Sequence, residues 1–190
     1  MDTYEKIKKI ATEHFGKYGY NGASLSKISA DVGIKKPSLY AHYDSKQDLF
    51  EACMDAAMSD FMKETEELLS VKGKKASTVL YELISCFLNS EGGSNNRLFY
   101  LRFAYMPPEE MGENKVRYSN EFIERLALIL DGPFKDFLNE LGVDPDRKEE
   151  IEEAYLCMFD GLIVELLFGE KDTYSRRMEY AWNVFMRGVK

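Results

Sequence analysis

Residues 25–43 read LSKISADVGIKKPSLYAHY, and this stretch decides the fold of the N-terminal part of the chain. Its apolar residues recur at the spacing of one helix face: Leu25, Ile28 and Val32. Gly33 follows where a helix most easily ends, and Pro37 suits the first turn of a second helix. Two helices joined by such a short turn are typical of a helix-turn-helix motif, whose second helix enters the DNA major groove. A plain helical hairpin would show the same pattern.

The charge of the chain is unevenly distributed. The 190 residues carry a net charge of −8, which argues against a protein that coats nucleic acid without selectivity. Residues 1–50 nevertheless contain eight lysines and six acidic residues, a net charge of +2, so the remainder carries −10. A slightly basic N-terminal part on an acidic body favours a DNA-binding head joined to a domain with another task.

The cysteines and the termini suggest a compartment. Cys53, Cys86 and Cys157 are widely spaced and accompany no metal-binding pattern. We expect reduced thiols in a cytoplasmic protein, with no metal site and no cofactor. The charged N-terminus lacks the apolar segment of a signal peptide. The most apolar run, residues 155–169, is too short and too charged to span a bilayer, so no membrane partner is expected.

The rest of the chain shows helical periodicity and no strand pattern. The spacing predicts an all-α fold of about nine helices. The first is predicted to end at residues 16–19, and residues 76–89 are predicted to be helical. A polar loop is expected after Pro107-Pro108, and Gly132-Pro133 is expected to kink or interrupt a helix over residues 118–141.

The flanks of the opening stretch extend the pattern into a family resemblance. A first helix ending in FGKYGY, followed by ASLSKISADVGIKKPSLYAHYDSKQDLF, resembles the tetracycline-repressor (TetR) family over about residues 5–52. The resemblance implies a three-helix DNA-binding head at residues 1–48 and a larger helical bundle at residues 49–190 for effector binding and dimerisation. Lys35 departs from the family, which usually has a Ser or Thr helix cap there, so no base preference is carried over.

The DNA-binding residues are expected in and around the two helices of the motif. Lysines can neutralise phosphates, and tyrosine hydroxyls and backbone amides at helix N-termini commonly bind the phosphate backbone. The predicted set is Ser24, Lys35, Lys36, Pro37, Ser38, Tyr40, His42, Tyr43 and Lys46. Tyr40 is placed on the DNA side by resemblance. The spacing of Leu39 and Tyr43 is also consistent with two residues of the protein core. His42 could equally be a phosphate contact or a solvated surface residue.

The last two helices carry apolar stripes wider than a single intramolecular face requires. By resemblance these helices form a four-helix bundle across a two-fold axis, which places two heads on successive major grooves of a palindromic site. The predicted dimer interface is Tyr155, Phe159, Leu162, Ile163, Leu166, Tyr180, Val184 and Phe185. The alternative is a thick core within one chain.

Large aromatic side chains, adaptable methionines and a few charges fill the middle of the chain. In the resembled family the body holds a cavity for a small effector, and charges in apolar stretches need a partner or a ligand. The predicted effector pocket is Phe61, Phe87, Phe99, Arg102, Phe103, Met106, Phe122, Met158, Phe159 and Glu165. The alternative is that most of these aromatic residues are ordinary core.

The sequence therefore predicts a ligand-responsive transcriptional regulator, with repression favoured. It would bind double-stranded palindromic operator DNA as a homodimer and be released by a mostly apolar small molecule. One alternative is a regulator of the same fold without a small effector, acting as an activator or through a protein partner. The other is an enzyme in the helical body, although the sequence shows no nucleophile with a base, no phosphate loop and no metal spacing.

Overall fold

The computed structural model describes residues 2–86 and 95–190. Every regular element in these two ranges is helical, which confirms the predicted all-α class and the number of helices. The α-helices are α1 Thr3–Gly22, α2 Leu25–Val32, α3 Lys36–Tyr40, α4 Lys46–Leu69, α5 Ala76–Ser85, α6 Asn95–Tyr105, α7 Arg117–Leu141, α8 Lys148–Phe168 and α9 Lys171–Val189. Two 3-10 helices, Glu109–Val116 and Pro145–Arg147, precede α7 and α8.

The chain divides into two compact units. The first comprises Met1–Phe61 and Asn95–Ser119, and the second comprises Met62–Ser94 and Asn120–Lys190. The head at residues 1–48 and the body at residues 49–190 were predicted as a division by function, and that division stays a prediction.

The core of the first unit joins α1, α4 and α6 through aromatic rings. Phe50 on α4 is fully buried and meets Phe15 of α1 and Phe103 of α6 edge to face, with ring centroids 5.0 Å apart in both pairs. The Tyr100 hydroxyl on α6 donates to the Tyr118 carbonyl at 2.7 Å. The edge-to-face pairs fix the mutual positions of α1, α4 and α6, and the buried hydroxyl of Tyr100 is satisfied by the backbone of Tyr118.

The second unit is built from α5, α7, α8 and α9. The hydroxyls of Tyr155 and Tyr174 donate to the carbonyls of Leu80 and Ile84 on α5, at 2.8 and 2.6 Å. The Phe134 ring on α7 packs edge to face on Tyr155 at 5.2 Å. Two tyrosines on successive helices therefore attach α8 and α9 to the same short helix.

Three elements can be compared with the ends and interruptions predicted for them. The regular part of α1 ends at Gly19, as predicted, because Gly19 has a positive φ of 71° that is not helical, and a short helical segment follows to Gly22. Helix α7 contains Pro133 within it, so the predicted interruption at Gly132-Pro133 is wrong and the predicted kink stays a prediction. A 3-10 helix, Glu109–Val116, occupies part of the region predicted as a polar loop. The end of the helix predicted over residues 76–89 lies outside the described residues.

Candidate DNA-binding surface and effector sites

The turn between α2 and α3 is closed by a pair of backbone hydrogen bonds. Gly33 has a φ of 83°, and its N–H donates to the Ala30 carbonyl while the Ile34 N–H donates to the Ser29 carbonyl. This is the Schellman arrangement, which satisfies the last carbonyls of a helix and turns the chain sharply. The direction in which α3 leaves α2 is therefore fixed by one glycine.

Helix α2 is attached to α1 at its C-terminal end by two contacts. The Lys6 ammonium donates to the Val32 carbonyl at 2.8 Å, where a cation also complements the helix dipole. His14 Nε2 lies 2.6 Å from an Asp31 carboxylate oxygen. Sequence reasoning missed both contacts, because the partners are 26 and 17 residues apart and no local pattern connects them.

Helix α3 presents nearly all of its surface to solvent. Leu39 is fully buried and fixes the helix to the head, while Tyr40 is 45% exposed. Six residues of the predicted DNA-binding set are exposed around it: Lys35, Lys36, Pro37, Ser38, Tyr40 and His42. The Lys36 ammonium lies 5.8 Å from the Tyr40 ring centroid, so a cation and a phenol share one face. We call these six residues the α3 surface.

The starts of both helices of the motif, α2 and α3, lack a side-chain cap. Ser24 precedes α2 with an extended backbone, and its hydroxyl makes no capping hydrogen bond; Lys35 precedes α3 in the same way. The first backbone N–H groups of a helix need acceptors. A phosphate oxygen is a suitable acceptor for the N–H groups at the start of α2.

The structure corrects the placement of Tyr43. Its side chain is 3% exposed and its ring stacks on Tyr4 with a centroid distance of 5.3 Å. A ring packed in this way belongs to the core, as its spacing from Leu39 also indicates, and Tyr43 is removed from the DNA-contacting set.

Lys46 is engaged within the protein. Its ammonium donates to the Asn21 carbonyl at 3.4 Å and lies 4.7 Å from the Tyr20 ring centroid. Burial lowers the pKa of Lys46, and the Glu110 carboxylate opposes that shift. Lys46 can therefore contact a DNA phosphate only if its ammonium leaves the Asn21 carbonyl and the Tyr20 ring.

The predicted dimer interface separates into buried and exposed residues. Tyr155, Phe159 and Ile163 are at most 1% exposed, so they fill the core of one chain, and this part of the prediction is corrected. Leu162 is 5% exposed and lines a surface groove, so its place in the interface stays a prediction. Tyr180 and Val184 are about 60% exposed on α9, and Leu166 and Phe185 are half-buried.

Helix α8 adds two exposed apolar residues that sequence reasoning missed. Val164 is 47% exposed and Phe168 is 61% exposed. Because α8 is apolar on every side near its C-terminus, its periodicity did not show which residues point outward. A groove of about 470 Å³ runs along α8 and α9. Its lining includes Cys157, Met158, Leu162, Val184 and Phe185, with Glu165 ion-paired to Arg177.

The predicted effector residues are not gathered in one described cavity. Phe99 and Arg102 line a cleft of about 450 Å³ in the first unit, whereas Met158 and Glu165 line the α8–α9 groove of the second. Four others are buried in aromatic packing: Phe61, Phe103, Phe122 and Phe159. Met106 is 56% exposed, and Phe87 lies outside the described residues. The membership of the pocket stays a prediction.

Comparison with known sequences identifies the head. A family model described as bacterial regulatory proteins of the tetR family matches residues 7–53. The biofilm operon icaADBC HTH-type negative transcriptional regulator IcaR of Staphylococcus aureus is 31% identical over 167 residues, covering 88% of this chain and 86% of the relative. The IcaR protein of Staphylococcus epidermidis is 32% identical over 88 residues, an alignment that spans 44% of that relative's length.

Solved structures share the fold over almost the whole chain. FadR from Bacillus subtilis, solved with stearoyl-CoA, has a TM-score of 0.68 at 18% identity and covers 98% of this chain and 100% of its own. AibR, solved with isovaleryl coenzyme A and operator DNA, has a TM-score of 0.66 at 17% identity, with coverage of 96% and 97%. Within residues 2–86 and 95–190, no helix is long and apolar enough to cross a membrane.

The geometry and the sequence similarity agree. The head contains two helices joined by a glycine-closed turn, with a second helix anchored by one leucine and otherwise exposed. A relative more than 30% identical covers most of the chain. This chain therefore belongs to the TetR family of bacterial transcriptional regulators.

Proposed function

We propose that this regulator represses transcription by binding a palindromic operator as a homodimer, and that a mostly apolar small molecule releases it. The observation that carries the proposal is the α3 surface, because Leu39 alone anchors the helix and its neighbours point to solvent. A helix held this way by a rigid head is suited to entering a major groove.

The charge around α3 supports this role. Residues 32–43 contain two lysines and no acidic residue, in a chain whose net charge is −8. Lys35 and Lys36 are both exposed. A stretch without carboxylates in an acidic protein repels phosphate less than the rest of the chain does, which favours selective over general binding to DNA.

The exposed apolar residues of α8 and α9 support dimerisation. Val164, Phe168, Tyr180 and Val184 are each about half or more exposed in the single chain. Such surface is unfavourable in water and is typical of a protein–protein interface. A two-fold interface makes both heads read the same sequence in opposite directions, so the operator should be palindromic.

Repression and release by a ligand rest on the relatives. IcaR of Staphylococcus aureus is described as a negative regulator, and the fold relatives FadR and AibR were solved with acyl coenzyme A ligands. An effector weakens operator binding only by its differential affinity for the two states of the protein. A tenfold release requires about 1.4 kcal/mol of such preference.

Residues 1–48 form the DNA-binding head in this proposal, and residues 49–190 form the body that dimerises and responds to the effector. Because its target is chromosomal DNA, the protein would act in the cytoplasm. The alternative is a regulator without a small effector. It is supported by the fact that several residues predicted to line the pocket pack against other aromatic rings instead.

Selection of bound sequences from a random DNA pool tests the DNA-binding proposal. We expect a palindrome whose half-sites lie about one helical turn or a multiple of it apart. Enrichment of a single, asymmetric site would contradict binding as a dimer. The absence of any enriched sequence would contradict the DNA-binding role of the head. With the operator in hand, small molecules that raise the melting temperature are tested for release of DNA. If no stabilising compound releases the operator, the effector-free alternative is preferred.

A further inference from the structure

A cleft of about 450 Å³ lies between α1 and α6 in the first unit. Its lining residues come from these two helices alone: Thr12, Glu13, Gly16 and Lys17 from α1, and Leu98, Phe99 and Arg102 from α6. The volume is within the range of small-molecule sites. None of its lining residues belongs to the α3 surface or to the α8–α9 groove.

The floor of the cleft is apolar. Leu98 on α6 is 39% exposed, and the adjacent Phe99 is 4% exposed. Gly16 contributes no side chain, and a Cβ at this position would lie 3.9 Å from the Phe99 ring. The missing side chain leaves room for the apolar part of a ligand against the phenylalanine.

The rim of the cleft carries two cations without a carboxylate partner among the described residues. The Arg102 guanidinium donates to the Gly16 carbonyl at 3.3 Å, a long hydrogen bond to a neutral acceptor. The Lys17 ammonium lies 5.2 Å from the Tyr18 ring centroid, and no described carboxylate pairs with it. Glu13 is the one acidic residue in the lining, so the rim has a net charge of +1.

We propose that this cleft binds a small monocarboxylate with an apolar body, such as an aryl-alkyl or medium-chain carboxylate. The planar guanidinium of Arg102 offers paired donors that match a carboxylate, and a charged acceptor binds them more strongly than the Gly16 carbonyl does. Lys17 adds a second positive charge, while the apolar body covers Leu98 and Phe99. A monoanion matches the net charge of the rim better than a polyphosphate.

The position of the cleft links the ligand to the reading head. Helix α1 also carries Lys6 and His14, which contact Val32 and Asp31 at the C-terminal end of α2. A carboxylate that draws Arg102 away from Gly16 breaks the hydrogen bond joining α6 to α1 beside His14. The site thus deepens the proposed function by naming a class of effector, and only its effect on DNA rests on that function.

Binding of 4-phenylbutyrate to the full-length protein, measured by titration calorimetry, tests the site. We expect wild-type protein to bind the acid and to bind its neutral amide at least about tenfold more weakly, because the charged hydrogen bonds to Arg102 are lost. Arg102→Gln should weaken binding of the acid by a similar factor. Lys9→Gln, which removes an exposed lysine on the same helix outside the cleft, should leave binding unchanged.

A second variant tests the site by occupying Arg102. Leu98→Glu places a carboxylate four residues before Arg102 on α6, where an intrahelical ion pair is favoured and the fold is preserved. We expect this variant to keep the circular dichroism spectrum of the wild type and to lose its binding of 4-phenylbutyrate. Equal binding of acid and amide, binding unaffected by Arg102→Gln, or no binding at millimolar probe would each overturn the proposal. Operator binding is measured separately, so a protein that binds the probe through Arg102 but no DNA would refute only the proposed function.

Discussion

Lys36 and Tyr40 are the residues on which DNA affinity should depend most directly. Both are exposed on α3, and their side chains share one face. Replacing Lys36 with Ala should weaken operator binding and reduce the slope of log K against log salt by about 0.9, the contribution of one phosphate contact. Fluorescence anisotropy with labelled operator at several salt concentrations measures both quantities.

The matched control for that variant is Lys63→Ala, since Lys63 is an exposed lysine of α4 outside the α3 surface. It should leave the affinity and the salt slope unchanged. Tyr40→Ala should lower affinity with little change in circular dichroism, because its ring is 45% exposed. Undiminished affinity in both α3 variants would show that another surface contacts the DNA.

Gly33 should be costly to replace. Its φ of 83° lies where an L-residue has a clash between Cβ and the backbone, so Gly33→Ala should destabilise the protein by about 1–2 kcal/mol. Gly16→Ala is the control, because Gly16 lies in α1 with ordinary room for a Cβ, and alanine there should stabilise by about 0.5–1 kcal/mol. The urea concentration at the midpoint of unfolding should fall in Gly33→Ala and rise in Gly16→Ala. A shift of both midpoints in the same direction would refute the role assigned to the turn.

At the scale of elements, α5 is capped by a residue of another helix. The Glu140 carboxylate on α7 accepts from the Ser77 hydroxyl at 2.6 Å and from the Ser77 N–H at 3.2 Å. Burial alone would raise the pKa of Glu140, but hydrogen bonds from Ser77 and from the Ala76 backbone, together with Lys75, lower it. The first turn of α5 therefore depends on an ionised side chain.

This cap predicts a pH dependence of stability. A carboxyl whose pKa is lowered in the folded state stabilises fully above its unfolded pKa of about 4.3, and the contribution is lost as the pH falls through the lower folded pKa. Glu140→Gln should cost about 0.5–1 kcal/mol at pH 7, a modest amount because the site is exposed. Urea unfolding at pH 7 and pH 3 should show this difference shrinking in acid. Asp136→Asn, a neighbouring exposed acid of α7, should show no such change.

Element type was predictable from local chemistry, whereas element ends were less so. The spacing of apolar residues, together with Gly33 as a helix end and Pro37 as a helix start, was sufficient to predict α2 and α3. Helix α1 has its kink at Gly19, as glycine allows, whereas α7 contains Pro133 within it despite the local tendency of proline to end a helix. The 3-10 helix before α7 has no apolar period to reveal it.

At the scale of the whole molecule, dimerisation should depend on the exposed side of α9. Val184 is 60% exposed in the single chain, so Val184→Asp should leave the fold intact and place a charge in the proposed interface. Sedimentation velocity should show the variant as a monomer at concentrations where the wild type is a dimer. Leu128→Asp, at a residue of α7 that is 78% exposed, is the control and should stay dimeric. An unchanged sedimentation coefficient for Val184→Asp would place the interface elsewhere.

The candidate sites were predictable to different degrees. The α3 surface follows from a short, ordered motif, so most of its residues could be named from sequence. The interface and the pocket could not, because helices α6 and α8 are apolar on several sides and their periodicity does not separate core from surface. Tyr155 and Val184 both suit an apolar face, yet one is buried and the other is exposed.

The shortness of α3 limits how much sequence one head can discriminate. A helix of five residues is about 7.5 Å long, which matches about two base-pair steps of 3.4 Å. Each copy therefore samples only a few adjacent base pairs, and many sites on a chromosome would satisfy it alone. The dimer must therefore distinguish its operator from other genomic sites by requiring two short half-sites at a fixed separation. The stiffness of the DNA between the half-sites adds to this discrimination.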